Sequence, residues 1–121
     1  MFKIIGQKIS LTRGDTANID LTIQKSTDEK YILTGNDKVY LTVKESASDI
    51  EYKFQKVVNY ASVLEDGSIH IKILPADTKN LEFMEYTYDI ELKTTADDVF
   101  TIIPNSPFVI TPEVTYSVNE G

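Results

Sequence analysis

Apolar and polar residues alternate along most of this chain, and the alternation is clearest between Gly67 and Leu92. Residues 68–73 place three isoleucines on one face of a predicted strand and polar side chains on the other. Pro75 lacks the backbone donor that a strand ladder needs, so the segment that it opens predicts one short helical turn near residues 75–81. A second alternating strand follows, with two tyrosines, an isoleucine and a leucine sharing one face over residues 86–92.

The order of a strand, a Pro-Asp helical turn and a Tyr-x-Tyr strand is typical of the corner of an immunoglobulin-like sandwich. At that corner the hydroxyl of a tyrosine near the start of the later strand forms a hydrogen bond with the backbone a few residues upstream. Tyr86 is the candidate for this role. The residues predicted to build the corner are Pro75, Asp77, Tyr86 and Tyr88.

Further strands are predicted wherever the period-two pattern recurs between turn residues. With one helical turn and no linker, the chain predicts an all-β, immunoglobulin-like antiparallel sandwich of about seven to nine strands. We expect residues 1–121 to form one domain, with residues 116–121 fraying. The other predicted strands are residues 8–13, 17–24, 31–33, 39–44, 52–58, 99–103 and 108–111, the last two separated by Pro104-Asn105-Ser106-Pro107.

The charge balance argues against two classes of partner. The chain has 19 acidic and 12 basic residues, a net charge of −7, and Arg13 is its one arginine. Nucleic acid requires clustered positive charge and anionic membranes attract basic segments, so we expect neither partner. The N-terminus lacks the run of about 7–15 apolar residues that a signal peptide needs, and no stretch reaches the roughly 20 of a membrane span.

Side chains suited to catalysis or metal binding are scarce. There is no cysteine, and the one histidine, His70, lies about 7 Å along its strand from Ser68. Asp97-Asp98 and Asp28-Glu29 are ordinary turn residues and lack the Asp-x-Asp-x-Asp-Gly run of a calcium loop. We therefore expect no catalytic residue, no metal and no cofactor. The tripeptide Arg13-Gly14-Asp15 is interpreted as a turn between two strands.

Tyrosine is the most promising residue type for contacts with a partner, because the chain has seven of them. Tyr40 lies opposite the apolar face of its strand, and Tyr52, Tyr60 and Tyr116 are also candidates for exposure. Exposed tyrosines serve protein interfaces, and aromatic rings also stack on sugars, although the chain lacks tryptophan. A protein interface is favoured, and a glycan site stays open.

Several short motifs follow one another in a set order along the chain. They are Leu11-Thr12-Arg13-Gly14-Asp15-Thr16, Gly35-Asn36-Asp37-Lys38-Val39, Leu41-Thr42-Val43-Lys44, Ile73-Leu74-Pro75-Ala76-Asp77-Thr78 with Leu81, and Tyr86-Thr87-Tyr88-Asp89-Ile90-Glu91-Leu92. Their order and spacing resemble the immunoglobulin-like N-terminal domain of phage baseplate upper proteins, which occur in tailed phages and prophages of low-GC Gram-positive bacteria. The resemblance covers roughly residues 9–114.

The resemblance implies a virion component, made in the bacterial cytoplasm and assembled into the tail baseplate, and it implies no catalytic residues. We expect a non-catalytic structural module that docks onto other tail or baseplate proteins and forms a homo-oligomer in the assembled particle. The expected contact regions are the Tyr40 face, the Asp97-Asp98 loop and the tail from Val114. The alternative is a sandwich that binds a carbohydrate or host receptor, with a host glycan as its ligand.

Overall fold

Ten strands make up most of the part of the chain that the computed structural model describes, residues 3–5, 7–26 and 29–112. Two short helices accompany them, the α-helix α1 (Pro75–Thr78) and a 3-10 helix (Tyr60–Ser62), and neither is long and apolar enough to cross a membrane. In chain order the strands are β1 (Lys3–Ile5), β2 (Lys8–Thr12), β3 (Ala17–Leu21), β4 (Ile23–Ser26), β5 (Glu29–Tyr31), β6 (Lys38–Lys44), β7 (Phe54–Asn59), β8 (Ile69–Ile73), β9 (Glu85–Lys93) and β10 (Val99–Thr111).

The predicted all-β sandwich is confirmed, and one of its sheets is much larger than the others. Six strands form the large sheet in the order β1-β2-β10-β9-β6-β7, while β3 pairs with β8 and β4 with β5. The sequence pattern predicts antiparallel pairing throughout, but residues 9–12 of β2 run parallel to residues 108–111 of β10. Nearly the whole chain separates these two strands, so no hairpin turn constrains their relative direction.

The core lies between the large sheet and the β3–β8 pair. Buried and more exposed positions alternate along β6 and β9, so that Val39 faces Leu92 and Leu41 faces Ile90 across the ladder. Full burial of one such side chain stabilises the fold by roughly 1.5–3 kcal/mol. The β3–β8 pair adds further members of the same buried cluster, namely Ala17, Ile19, Ile69, Ile71 and Ile73.

The predicted helical turn is present as α1, directly after β8. The Asp77 carboxylate accepts a hydrogen bond from the Leu74 N–H at 2.7 Å and forms an ion pair with the Lys56 ammonium at 2.7 Å. The Tyr86 hydroxyl donates to the Glu82 carbonyl oxygen at 3.0 Å. This is the backbone contact that the sequence predicts for a tyrosine at this corner.

Tyr88 connects the later strand of the corner to the start of the described chain. Its hydroxyl donates to the carbonyl oxygen of Gln7. Its ring packs edge-on against Phe108, with ring centroids 6.1 Å apart, and burial raises the pKa of the hydroxyl. The contact holds Gln7, the residue before β2, against the centre of the large sheet.

The predicted strand at residues 17–24 is broken at Thr22. The two halves pair with different strands, β3 with β8 and β4 with β5, so the chain changes direction between them. The neighbouring strand β5 lies two residues earlier than predicted, and β7 begins at Phe54 rather than at residue 52. β1 has no counterpart in the sequence pattern.

The predicted break at residues 104–107 is absent, because β10 continues through both prolines. Its register against β9 shifts between Thr101 and Ile103 and again between Ile103 and Ser106. The ladder with β2 begins only at Phe108, so Pro107 is paired with β9 alone, and Pro104 lies within the second register shift. A proline is tolerated in such a position because a missing N–H leaves no partner strand unsatisfied.

Candidate interaction surfaces

The loop between β6 and β7, residues 45–53, is held in place by its own hydrogen bonds. The Asp49 N–H donates to the Ser46 carbonyl at 3.0 Å, and the Asp49 carboxylate accepts the Ser46 N–H at 3.1 Å. The Lys44 ammonium donates to the Asp49 carbonyl at 2.8 Å, and the Lys53 N–H donates to the Val43 carbonyl at 2.7 Å. Much of the conformational freedom of this loop is therefore already lost in the free protein.

The β6–β7 loop carries an isoleucine at its tip. Ile50 is 97% exposed, and Tyr52, two residues later, is also exposed. A lone exposed apolar side chain is common on protein surfaces and says little by itself. Ile50, however, stands on a loop held by several hydrogen bonds, between two exposed acidic residues, Asp49 and Glu51. The loop is suited to placing an apolar side chain in a partner's pocket, since it loses little further entropy on binding.

An acidic groove of about 300 Å³ lies beside this loop on the outer face of the large sheet. Tyr52 and Gln55 line it together with Asp89 and Glu91 from β9. Burial raises the pKa of Asp89, and the nearby Lys44 ammonium opposes this shift. Among the residues that the structure describes, the Asp89 carboxylate accepts no hydrogen bond, so the groove contains a partly desolvated acceptor.

An apolar groove of about 430 Å³ lies at the opposite end of the large sheet, between the β4–β5 hairpin and the β9–β10 hairpin. Lys25 is the one charged side chain among the described residues that line it. A large apolar ring lies at its rim, because Phe100 is 53% exposed. The apolar residues that line this groove are Ile23, Tyr31, Leu92, Phe100 and Ile102.

A buried carboxylate fixes the loops beside the apolar groove. Asp37 is 1% exposed and accepts hydrogen bonds from the Tyr31 hydroxyl at 2.5 Å and the Thr34 N–H at 3.1 Å. The N–H and the hydroxyl of Thr95 also donate to it, at 2.7 and 3.0 Å. Burial acts to raise the pKa of Asp37, but the hydrogen bonds, led by that of Tyr31, hold it below its ordinary value. The pKa of Tyr31 is raised to about 12, mainly by the same hydrogen bond and to a smaller extent by burial.

Two of the predicted interface regions come together at that end of the molecule. Tyr40 is half-buried on β6 and lines a shallow pocket of about 320 Å³ with Asp97. Asp97 has a φ of 70° in the turn between β9 and β10, and its carboxylate lies 3.8 Å from the Lys93 ammonium. Asp98 is exposed in the same turn. Tyr40 and the Asp97-Asp98 loop therefore share one surface.

The other predicted tyrosines lie apart from that surface. Tyr52 belongs to the β6–β7 loop, and Tyr60 is exposed at the start of the 3-10 helix. Tyr116 and the tail from Val114 lie outside the described residues. The predicted interface residues thus fall on separate regions and do not form one continuous patch.

Two motifs considered for chemistry make contacts within the fold. The Arg13 guanidinium lies 4.1 Å from the centroid of the Phe83 ring and donates to the Leu81 carbonyl at 3.3 Å. His70 faces Asp20 across the β3–β8 ladder, with Nδ1 2.8 Å from a carboxylate oxygen. Within residues 3–5, 7–26 and 29–112, no group of three or more histidine, aspartate or glutamate side chains could hold a metal ion.

The sequence pattern did not single out the residues that define these surfaces, namely Ile50, Asp89 and Phe100. A local signal exists for Ile50, since an isoleucine between two acids interrupts a polar loop, but a period-two search does not detect it. Asp89 and Phe100 lie in segments that the pattern correctly predicts to be extended. Their exposure depends on which other strands end nearby, and those strands come from distant parts of the sequence.

Comparison with known protein families and with curated protein sequences finds no match to this chain. Its function is therefore inferred from three regions of its own surface. These are the β6–β7 loop with Ile50, the acidic groove beside it and the apolar groove at the other end of the large sheet.

Proposed function

We propose that this chain is a non-catalytic structural module of a phage or prophage tail, which docks within the baseplate by protein-protein contacts. The order of its motifs, from the Arg13-Gly14-Asp15 turn to the Tyr86 corner, resembles that of phage baseplate proteins and supports a place in the tail. The β6–β7 loop suggests how the module binds. The observation that carries the proposal is Ile50, 97% exposed at the tip of a hydrogen-bonded loop.

Docking through this loop is physically reasonable for an assembly protein. Burying one isoleucine side chain contributes roughly 1.5–3 kcal/mol, and a loop already held in one conformation retains most of that gain. The net charge of −7 keeps free copies apart and soluble until several contacts form together.

Immunogold labelling tests the proposed location. Antiserum raised against the protein is applied to particles released from the encoding bacterium after prophage induction. We expect label concentrated at the tail tip. Absence of label from both intact and disrupted particles would contradict the virion role.

A variant series tests the proposed mode of binding in the same particles. Ile50→Asp should be lost from the particle, because a charged tip cannot enter an apolar pocket. Leu64→Asp is the matched control, since Leu64 is an exposed apolar residue on a different loop and should be retained. Equal retention of both variants would exclude the β6–β7 loop as the docking element.

A second candidate function, binding of a host carbohydrate, is favoured by the acidic groove. Its lining combines the ring of Tyr52, the amide of Gln55 and the carboxylates of Asp89 and Glu91. Aromatic rings stack on sugars, while amides and carboxylates bind sugar hydroxyls. Cell-wall glycans of the host should then bind wild type and Tyr60→Ala but not Tyr52→Ala. Failure to bind any glycan of a broad panel would remove this candidate.

A further inference from the structure

We propose that copies of this chain associate head to tail, with the Ile50 tip of one copy seated in the apolar groove of the next. The inference rests on the proposed function, because it names one contact that an assembly module would make. Both halves of the contact lie on the same chain: an exposed apolar tip on the β6–β7 loop and an apolar groove with Phe100 at its rim.

The two surfaces are complementary in polarity. The groove encloses about 430 Å³ and is lined mostly by apolar side chains, so it offers an isoleucine contacts on several sides. Phe100 and Ile50 are both exposed in the single chain, and seating one against the other removes apolar surface of both from water.

The two surfaces are also complementary in charge. Asp49 and Glu51 flank the Ile50 tip, whereas the groove carries Lys25. Lys25 forms an ion pair with Glu29 over 3.8 Å, and both side chains are largely exposed. Such an exposed pair contributes little free energy, so a carboxylate of the incoming copy can replace Glu29 at little cost. The acidic groove next to Ile50 is a poorer match, because its carboxylates, Asp89 and Glu91, would repel Asp49 and Glu51. The Lys44 ammonium, which also lines that groove, already donates to the Asp49 carbonyl of its own loop.

The positions of the two surfaces determine the kind of assembly. β6 runs from Lys38, at the end that holds the apolar groove, to Lys44, where the loop begins, a span of about 20 Å. Ile50 therefore cannot reach the groove of its own chain. A contact between two different surfaces leaves a free tip and a free groove on every open assembly, so it continues into a ring or a filament.

The contact is expected to be weak for an isolated pair. One side chain in one groove buries less than the roughly 1,200–2,000 Å² of a stable interface, which places the dissociation constant between micromolar and millimolar. Ring closure or a baseplate neighbour that holds two copies together would strengthen it through effective concentration.

Sedimentation velocity of the full chain tests the inference, since two single variants each remove one half of the contact. Ile50→Asp keeps the groove and loses the tip, while Phe100→Asp keeps the tip and loses the rim of the groove. At about 1 mM, wild type should form species larger than dimers and each variant alone should stay monomeric. An equimolar mixture of the two variants should form dimers and nothing larger, because only one functional tip and one functional groove meet.

Controls separate this contact from other kinds of association. Leu64→Asp should associate as wild type does, since Leu64 is exposed but belongs neither to the β6–β7 loop nor to the apolar groove. Lys25→Glu reverses the charge at the groove, leaves its apolar lining in place and should weaken association about tenfold, which keeps the test decisive if Phe100→Asp folds poorly. Thermal unfolding of each variant establishes that it is folded.

Three results would overturn the inference. These are a wild type that stays monomeric at about 1 mM, a variant mixture that stays monomeric while wild type associates, and Lys25→Glu that associates as wild type does. A monomeric wild type that nevertheless labels the tail tip would overturn head-to-tail association and leave the proposed function standing. Head-to-tail association without label on any particle would overturn the proposed virion role and leave the association between copies standing.

Discussion

Two turns of this molecule share the same local hydrogen bonds but differ in their surroundings. In the first, the Asp37 N–H donates to the Thr34 carbonyl at 3.1 Å, and the Asp37 carboxylate accepts the Thr34 N–H at 3.1 Å. In the second, Asp49 forms the same two bonds with Ser46, at 3.0 and 3.1 Å. Asp37 is 1% exposed, whereas Asp49 lies on a fully solvated loop.

The surroundings decide what each turn contributes. Tyr31 and Thr95 add three further hydrogen bonds to Asp37, so this turn joins segments that are distant in sequence. Among the described residues, the Asp49 carboxylate receives no such addition, and the next residue is the exposed Ile50. The same turn chemistry anchors the fold at one site and presents a side chain at the other.

Removal of the Asp37 carboxylate should have the largest effect and separates the two turns most clearly. Asp37→Ala leaves the Tyr31 hydroxyl and the donors of Thr34 and Thr95 without their acceptor. Because hydrogen bonds to a charged group contribute about 1.5–3 kcal/mol, we expect the free energy of unfolding to fall by about 3 kcal/mol. Urea denaturation measures this fall.

Asp49→Ala is the matched control, because it removes the same bond between the carboxylate and a backbone N–H from an exposed turn. Its loss should stay below about 1 kcal/mol. Losses of equal size in the two variants would show that the surroundings of Asp37 add nothing, and the contrast between the turns would not hold.

Acid should remove the stability that the Asp37 carboxylate contributes to the anchored turn. The pKa of Asp37 is held below its ordinary value in the folded protein, so the unfolded chain binds a proton more readily. The stability that this carboxylate contributes is therefore fully present above the unfolded pKa of about 3.9, and it is lost as the pH falls through the lower folded pKa. Unfolding free energies measured from pH 7 downward should decline more steeply in wild type than in Asp37→Ala. Parallel curves would contradict the buried hydrogen-bonded carboxylate.

The corner hydroxyl offers a smaller test, of a single hydrogen bond. Tyr86→Phe removes the donor to the Glu82 carbonyl, and we expect the free energy of unfolding to fall by about 1 kcal/mol. Tyr52→Phe, on the exposed β6–β7 loop, should leave it unchanged. A fall in Tyr52→Phe as large as that in Tyr86→Phe would mean that the loop is also structural.

Asp89 provides the smallest expected effect, and one of opposite sign. Burial raises its pKa, so the folded state binds the proton more tightly than the unfolded chain, and the ionised carboxylate is destabilising at neutral pH. Asp89→Asn should therefore raise the free energy of unfolding at pH 7 by less than about 1 kcal/mol. The gain should disappear at low pH, where wild-type Asp89 is protonated. A loss of stability at pH 7 would mean that the carboxylate has a partner within the fold.

Those parts of the fold that depend on local chemistry could be predicted from the sequence. β6 and β9 alternate because each has one buried face, and the corner follows from a proline after β8 and a tyrosine near the start of β9. Strand pairing was harder to predict. The break at Thr22 and the parallel ladder between β2 and β10 depend on which distant strand is the neighbour.

The functional surfaces could be predicted less well, for the same reason. Tyr52 was predicted to be exposed although it was assigned to a strand, and the Asp97-Asp98 turn was predicted because aspartate pairs between strands carry a local signal. Asp37 could not be separated from Asp49 by sequence, since its burial depends on Thr95, 58 positions away. The apolar groove likewise forms only where Ile23 and Phe100 meet in space.

The central claim is that the β6–β7 loop displays Ile50 for a contact and does not support the fold. NMR spectra of wild type at about 20 µM and about 1 mM test this most directly. We predict concentration-dependent shifts in two separate regions, residues 45–53 and the groove around Phe100, and none in Ile50→Asp, whose free energy of unfolding should match wild type within about 0.5 kcal/mol. Shifts that persist in Ile50→Asp, or a variant that loses several kcal/mol of stability, would contradict the claim.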